Sequence, residues 1–263
     1  MRLLISSTSN PKVKEIVQLL TKARARKQNG LCVVEGAREI SRAIVAGWVP
    51  RDLWCMQGVE EPEWGSEFGK VYEVNQTVFD KIAYRSGTEA FVATFETPEH
   101  STSEIAKVFE KANCVLIVEG IEKPGNAGAL IRTAVAAGMD AVVIADGALD
   151  LYGPNVMRNA TGAIFELPVL SMSNAQVQEQ LAKNGFQTFI THMHSNATNL
   201  FEVQWAPKSA IVLGEEARGL SAQWLDKDYI NTVIPMEGAS VDSLNVSVAA
   251  AVMMYHWKAN RSV

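Results

Sequence analysis

Three separated segments hold polar side chains of kinds that can bind and orient a charged ligand. The first is Val118-Glu119-Gly120-Ile121-Glu122-Lys123-Pro124-Gly125-Asn126-Ala127-Gly128-Ala129-Leu130-Ile131-Arg132. The second runs from Asp150 to Ala163, contains Arg158 and Gly162, and leads into Leu167-Pro168-Val169. The third begins at Ile211-Val212-Leu213-Gly214-Glu215-Glu216-Ala217-Arg218-Gly219. It resumes at Ile234-Pro235-Met236 and at Ser243-Leu244-Asn245-Val246-Ser247-Val248-Ala249. A guanidinium offers donors in a fixed fork that suits phosphate or carboxylate, and a carboxamide both donates and accepts. Glycine-containing loops after buried strands leave backbone N–H and C=O groups open to a ligand. Each segment also has an ordinary structural reading. Asn126 stands where a helix N-cap belongs, Arg132 lies about two turns further on, and Ser243 and Asn245 precede a strongly helical run that they could cap.

Other chemistries lack their residues. There is no GxGxxG after a strand, no GxxxxGK[ST] and no GxSxG, which removes the usual dinucleotide site, the P-loop and the α/β-hydrolase elbow. His192 and His194 form an HxH at the end of a strand-like stretch, but a metal site needs at least a third ligand and none can be placed. No metal is expected. Cys32, Cys55 and Cys114 are far apart and odd in number, which argues for small buried hydrophobes in a reducing compartment rather than a disulfide framework.

The elements that must position these segments follow from periodicity. Ser9-Asn10-Pro11 is a helix start, and Val13, Ile16, Val17 and Leu20 then fall on one face. Leu31–Val34, Asp52–Met56, Val71–Val74 and Ala90–Phe95 are strand-like. Gly36 opens a helix to Ala46 with Gly47 as its stop, and Asn75–Ala83 is helical. This alternation predicts a small α/β domain over residues 1–97. Thr97–Thr102 begins a linker, taken over 98–112, with a connecting helix at Ser103–Lys111. Beyond it, over 113–263, the pattern changes. Cys114–Val118, Ala141–Ile144, Leu167–Val169, Thr188–Thr191, Ala210–Leu213 and Asn231–Ile234 are short and apolar. Helical stretches at Ala127–Ala137, Ala175–Lys183 and Val246–Trp257 lie among them. Uniformly apolar strands alternating with helices predict an α/β fold with a mostly parallel sheet covered on both faces.

With 263 residues and 48% hydrophobic content the chain can bury an ordinary core, and its apolar runs are too short to span a bilayer. The N-terminus lacks the succession of a signal peptide, so a cytoplasmic protein is expected. The net charge of −5 is unevenly spread. Residues 1–42 hold nine Lys/Arg against three acids, a surplus of six that leaves −11 for the remainder. Such asymmetry suggests one polyanion-facing end on an acidic body.

Taken together, the three segments resemble the SpoU, or TrmH-like, family of RNA 2′-O-ribose methyltransferases within the SPOUT class. The matching pieces are Asn126-x-Gly128 with Arg132, Arg158 with Gly162-Ala163 ahead of Leu167-Pro168-Val169, Gly214-x-Glu216 with Gly219, and Ile234-Pro235-Met236 with Ser243-Leu244-Asn245. The resemblance covers residues 113–263. Ser6–Lys14 and Val33-Val34-Glu35-Gly36 are similar to that family's N-terminal substrate-binding domain. Two departures stand out. Ala160 occupies a place where the family commonly has Ser, which shifts any hydroxyl role to Thr161, and the loop from Ile234 to Leu244 is one residue longer than the family pattern.

The resemblance implies a parallel-sheet domain with a deep trefoil knot, a homodimer with its active site at the subunit interface, and S-adenosyl-L-methionine as cofactor. The cofactor would be held at Thr191, Leu213, Gly214, Ile234, Met236 and Leu244, with Ile234 and Leu244 against the adenine. Arg132, Asn126, Glu216, Ser243 and Asn245 carry the family's catalytic roles. A guanidinium stays protonated in nearly all protein settings, so Arg132 is read as clamping a phosphate and stabilising charge developing on the 2′-oxygen rather than as a simple base. Arg158 is read as structural or interfacial. The basic N-terminal residues Lys12, Lys14, Arg24, Arg26, Lys27 and Arg38 would grip RNA phosphates. Ribosomal RNA is the preferred substrate. Transfer RNA, methylation of a base nitrogen, and a non-catalytic RNA-binding protein are the competing readings.

Overall fold

The computed structural model describes residues 3–84, 90–192, 197–215, 218–225, 228–238, 240 and 243–261. The chain forms two compact units, Met1–Glu99 with Asp150–Phe165, and His100–Leu149 with Glu166–Val263.

The N-terminal unit begins with β1 (Leu3–Ile5), α1 (Pro11–Thr21), α2 (Ala23–Asn29), β2 (Leu31–Glu35) and α3 (Ala37–Val45). It continues with β3 (Pro50–Met56), β4 (Lys70–Val74), α4 (Gln76–Ile82) and β5 (Phe91–Glu96). Asn10 accepts from the Lys12 N–H at 2.8 Å and Pro11 sits in the first turn, so α1 starts where the sequence expects. Its buried face is Val13, Ile16, Leu19 and Leu20; Val17 is only half-buried. The five strands run in the order β1-β4-β3-β5-β2, with β1, β4 and β3 parallel and β5 antiparallel to both β3 and β2. Trp54 stacks on Tyr72 at 4.4 Å, and α1 and α4 bury Ile16 and Phe79 in the same core.

The C-terminal unit opens with α5 (Thr102–Lys111), β6 (Cys114–Glu119), α6 (Pro124–Ala137) and β7 (Ala141–Ala145). Ser101 and Glu104 form a capping box for α5. The expected connecting helix is thus present, and its Phe109 is buried in this unit's core. After β7 the chain enters the N-terminal unit for α7 (Pro154–Ala160). It returns for β8 (Val169–Met172), α8 (Asn174–Lys183), β9 (Gln187–Thr191) and β10 (Thr198–Asn199). The last elements are β11 (Ser209–Leu213), α9 (Ala222–Leu225), β12 (Ile230–Val233) and α10 (Val246–Asn260). The strand expected at Leu167–Val169 begins only at Val169. Pro168 has no N–H for the ladder, although its carbonyl accepts from Val142 N–H at 3.0 Å.

The seven strands, all parallel, follow the order β10-β12-β9-β11-β6-β7-β8. Every residue of β6, β7 and β11 is buried, as a sheet covered on both faces requires. Side chains alternate between faces. Val115 and Ile117 join Phe109 of α5 and Val177 and Leu181 of α8 on one face. Helices α6 and α10 pack on each other and against β7 and β11 to cover the opposite face.

Residues 150–165 are bound into the N-terminal unit by polar contacts. Arg26 of α2 donates from Nε to Asp150 at 2.7 Å and from Nη2 to the same oxygen, while Nη1 donates to the Leu19 carbonyl. Arg26 is only 7% exposed. The expectation that it grips RNA is therefore corrected: burying a guanidinium requires a paired anion, and Asp150 is that anion. The Arg158 guanidinium lies 4.4 Å over the Tyr84 ring and 3.6 Å from the Glu35 carboxylate. Arg42 donates to the Thr161 carbonyl at 2.8 Å, and Trp48 packs edge-on against Tyr152 and Phe165. Arg158 is thus a structural residue of this unit. Replacing Arg26 with Ala strands the Asp150 charge and the Leu19 carbonyl. We expect a loss of about 3 kcal/mol in the N-terminal unit, read as faster amide hydrogen exchange in β2 and β5. Unchanged exchange there would remove Arg26 from the unit's framework.

Candidate active site

The C-terminal ends of parallel strands leave a crevice in which ligands commonly bind. Here a cavity of about 380 Å³ opens beside the ends of β9, β11 and β12. Thr191 of β9, Leu213 of β11 and Thr232 and Val233 of β12 line it, together with His192, Gly214 and Ile234, the residues that directly follow those strands. Met236, Ser243 and Leu244 come from the loop before α10, and Val246 and Ala249 from α10 itself. All six residues expected to hold a cofactor, Thr191, Leu213, Gly214, Ile234, Met236 and Leu244, are in this wall, with Ser243 beside them. The volume falls in the range of roughly 300–1,000 Å³ usual for small-molecule sites. Leu213, Ile234, Leu244, Val246 and Ala249 supply an apolar wall fit for a purine. Thr191, His192 and Ser243 supply polar groups. These residues fit S-adenosylmethionine.

A second cavity of about 240 Å³ adjoins it and shares Gly214, Glu215, Arg218 and Val246. Its remaining wall is Val118 of β6, Gly120, Ile121, Glu122 and Lys123 of the turn that follows, and Asn126 in the first turn of α6.

The wall common to both cavities depends on one close approach. A Cβ on Gly214 would lie 2.1 Å from the Gly219 carbonyl carbon and 2.4 Å from the Leu220 nitrogen. No side-chain carbon fits there. The Gly219 N–H donates to the Glu215 carbonyl at 3.0 Å, and Gly219 takes φ 67°, a value that favours glycine. Arg218 donates to both carboxylate oxygens of Glu215, and that hydrogen bond raises its pKa still further. Glu216 of the same loop lies outside the described residues, as does His194. Among the described residues no three His, Cys, Asp or Glu side chains gather to hold a metal.

Asn126 is not the N-cap of α6. The helix starts two residues earlier at Pro124, because proline suits the first helical turn, and Lys123 takes the cap position without a side-chain bond. The Asn126 carboxamide is instead directed at Asn245, whose Nδ2 donates to Asn126 Oδ1 at 3.3 Å. Asn245 is the N-cap of α10. Its Oδ1 accepts from the Ser247 N–H at 2.9 Å and from the Ser247 hydroxyl at 2.6 Å, which turns its amino group toward Asn126. The first and third segments thus meet through one hydrogen bond at the smaller cavity. Arg132 lies on the exposed side of α6 and lines neither cavity.

The basic residues of the N-terminal unit divide. Lys14, Arg24 and Lys27 are exposed. Lys12 is paired with Glu15 at 2.7 Å, whose hydrogen bond raises the lysine pKa, and Arg38 is paired with Glu39 at 2.6 Å.

Sequence reasoning missed Glu119, Glu215 and Arg218. Glu119 had a signal, since it is an acid closing the otherwise apolar strand Cys114–Glu119 and is only 7% exposed. Glu215 and Arg218 are defined by a loop that folds back on Gly214, which no periodicity reports.

A parallel α/β unit with a cavity at its strand ends has the general form of an enzyme that binds a small ligand. Residues 113–255 match the model of the SpoU rRNA Methylase family and residues 10–93 match that of the MRM3-like substrate binding domain. A solved RNA 2′-O ribose methyltransferase is 35% identical with TM-score 0.82, covering 98% of this chain and 99% of its own. The 23S rRNA (guanosine(2553)-2′-O)-methyltransferase RlmP of Bacillus subtilis is 29% identical over 252 residues, 96% of this chain and 98% of its own. An AdoMet-bound rRNA methyltransferase from Sinorhizobium meliloti is 22% identical with TM-score 0.88 over 99% of this chain and 98% of its own, a likeness of fold. The chain belongs to the SpoU rRNA methylase family.

Because the shared wall has no space for a side-chain carbon, Gly214→Ala should weaken S-adenosylhomocysteine binding more than tenfold, about 1.4 kcal/mol or more, in titration calorimetry. Wild-type affinity in that variant would show that the loop is not part of the binding wall.

Proposed function

We propose that this protein transfers the methyl group of S-adenosylmethionine to a ribose 2′-hydroxyl of structured RNA, with ribosomal RNA as the preferred substrate. The observation that carries the proposal is the 380 Å³ cavity, whose wall contains all six expected cofactor residues and which adjoins the meeting point of Asn126 and Asn245. When bound, S-adenosylmethionine supplies an electrophilic methyl group on a sulfonium.

The smaller cavity takes the target ribose. Asn126, held by Asn245, orients it, since an alcohol is a poor nucleophile and gains most from being fixed in line. Arg132 clamps a neighbouring phosphate and stabilises the negative charge that develops on the 2′-oxygen. It cannot readily take up the hydroxyl proton, because a guanidinium is already protonated. Glu216 and Ser243 are assigned to holding the site and the cofactor loop. Arg132 lies outside both cavity walls, which supports a homodimer in which a second copy completes the site. The exposed side chains of Phe201, Val248 and Tyr255 give that copy an apolar surface. The family's trefoil knot at the cofactor loops and a cytoplasmic location belong to the same reading. The chain has no described helix long and apolar enough to cross a membrane.

The direct test is incubation of ribosomal and transfer RNA with protein and labelled S-adenosylmethionine, followed by digestion to nucleosides and mass spectrometry. A 2′-O-methylnucleoside from ribosomal RNA is expected, and a base-methylated product would overturn the ribose assignment. Arg132→Ala should lower methyl transfer about a hundredfold or more, the scale of removing a transition-state charge stabiliser. Its S-adenosylhomocysteine affinity should stay near that of the wild type; near-normal turnover would remove Arg132 from the chemistry. Residues 3–45 supply two strands and three helices of the N-terminal unit, so deleting the basic segment would destroy its fold. Charge reversal of Lys14, Arg24 and Lys27 is the clean probe. RNA affinity should drop tenfold or more at low salt, with a shallower salt dependence and unchanged cofactor binding.

A further inference from the structure

Glu119 is buried at the end of β6, and no cation among the described residues pairs with it. Its carboxylate meets three donors. The Ser221 N–H donates to Oε2 at 2.8 Å and the Ser221 hydroxyl to Oε1 at 2.6 Å, while Nδ2 of Asn174 donates to Oε1. Asn174, the first residue of α8, is itself buried, and its Oδ1 accepts from Trp224 Nε1 at 3.0 Å. An indole N–H can only donate, so Trp224 fixes the carboxamide with its amino group toward Glu119. Polarity therefore runs one way, from Trp224 through Asn174 to Glu119, with Ser221 donating from the other side.

A buried carboxylate without a cation is a poor means of gaining stability, because its desolvation cancels much of what its hydrogen bonds return. What this one does is fix position. Ser221 follows the loop in which Gly214, Glu215, Arg218 and Gly219 wall the larger cavity. That loop leaves β11 at Gly214 and is fixed at its far end by both donors of Ser221. Gln178 Nε2 adds a bond from α8 to the Gln223 carbonyl at 2.8 Å, so the segment after the loop is held from the same side. On the other side of Glu119, the next residue, Gly120, takes φ 65° and lies where a Cβ would be 3.2 Å from the Glu215 carboxylate.

We propose that Glu119 is a positioning residue for the cofactor cavity: through Ser221 it holds Arg218 and Gly219 against Gly214 and Glu215, in the wall that binds S-adenosylmethionine. The inference rests on the assignment of that cavity to S-adenosylmethionine. Glu119→Gln tests it with little change in volume, because the new amino group must face either the Ser221 N–H or the Asn174 amino group, donor against donor. Affinity for S-adenosylhomocysteine should fall about tenfold, the scale of hydrogen bonds to a charged group, in calorimetry well below the melting temperature. Ser221→Ala removes one donor and keeps the backbone contact, and Trp224→Phe releases the carboxamide; each should cost about threefold. In steady-state assays the KM for S-adenosylmethionine should rise while kcat at saturating donor stays within about twofold, the signature of lost uniform binding. A folded Glu119→Gln protein with a lower Tm but wild-type affinity would overturn the proposal. Should that variant fail to fold, wild-type affinity in both Ser221→Ala and Trp224→Phe would overturn it equally. A wild-type protein that binds no S-adenosylhomocysteine would instead remove the functional reading.

Discussion

At Gly214 the chain leaves β11 and comes back against itself so closely that Gly219 occupies the place of a side-chain carbon. Much of the site depends on that contact. It lets a loop of a few residues form a wall common to two cavities, one lined mainly by apolar groups and the other by the turn after β6. A larger residue would open the loop, and the cavities would lose their partition. Such an approach needs support on both sides, because nothing in a short glycine-containing loop sets its own path. The strand supplies one support and the hydrogen bonds at Ser221 the other.

The hydrogen bond between Asn126 and Asn245 shows how a capping residue can do two things at once. Oδ1 of Asn245 is taken by Ser247, as in many helix starts. A carboxamide so held has its amino group fixed in space at no further cost in rotamer freedom, and that group meets Asn126. Helix capping and site assembly are the same geometry here, which is why a structural and a functional account of Asn245 do not compete.

Much of this was legible in the sequence. The apolar strands Cys114–Glu119, Ala141–Ala145 and Ser209–Leu213 announce a parallel sheet because both faces must be dry. Seven residues of the cavity wall, Thr191, Leu213, Gly214, Ile234, Met236, Ser243 and Leu244, lie in the ordered motifs, whereas Glu215 and Arg218 of the same wall went unnoticed. What escaped is what depends on pairing across long separations. Arg26 reads as a surface cation until Asp150, far along the chain, neutralises it. The helix Pro154–Ala160 was overlooked although Gly153-Pro154 is a helix start. Asn126 was placed at a cap because a proline two residues earlier was not given the first turn. No local pattern marks Glu119 as the acceptor of three donors, though an acid at the end of an apolar strand was a visible anomaly.

Residues 150–165 lie within the span that matches the methylase model, yet they pack as part of the N-terminal unit. The polypeptide is shared between the two units at three crossings, after residues 99, 149 and 165. A recombination event with one breakpoint near residue 99 would deliver a substrate domain lacking the partners of Arg26, Arg42 and Trp48. Residues 1–99 and 150–165 are therefore constrained to change together, although fifty residues of the other unit separate them in sequence.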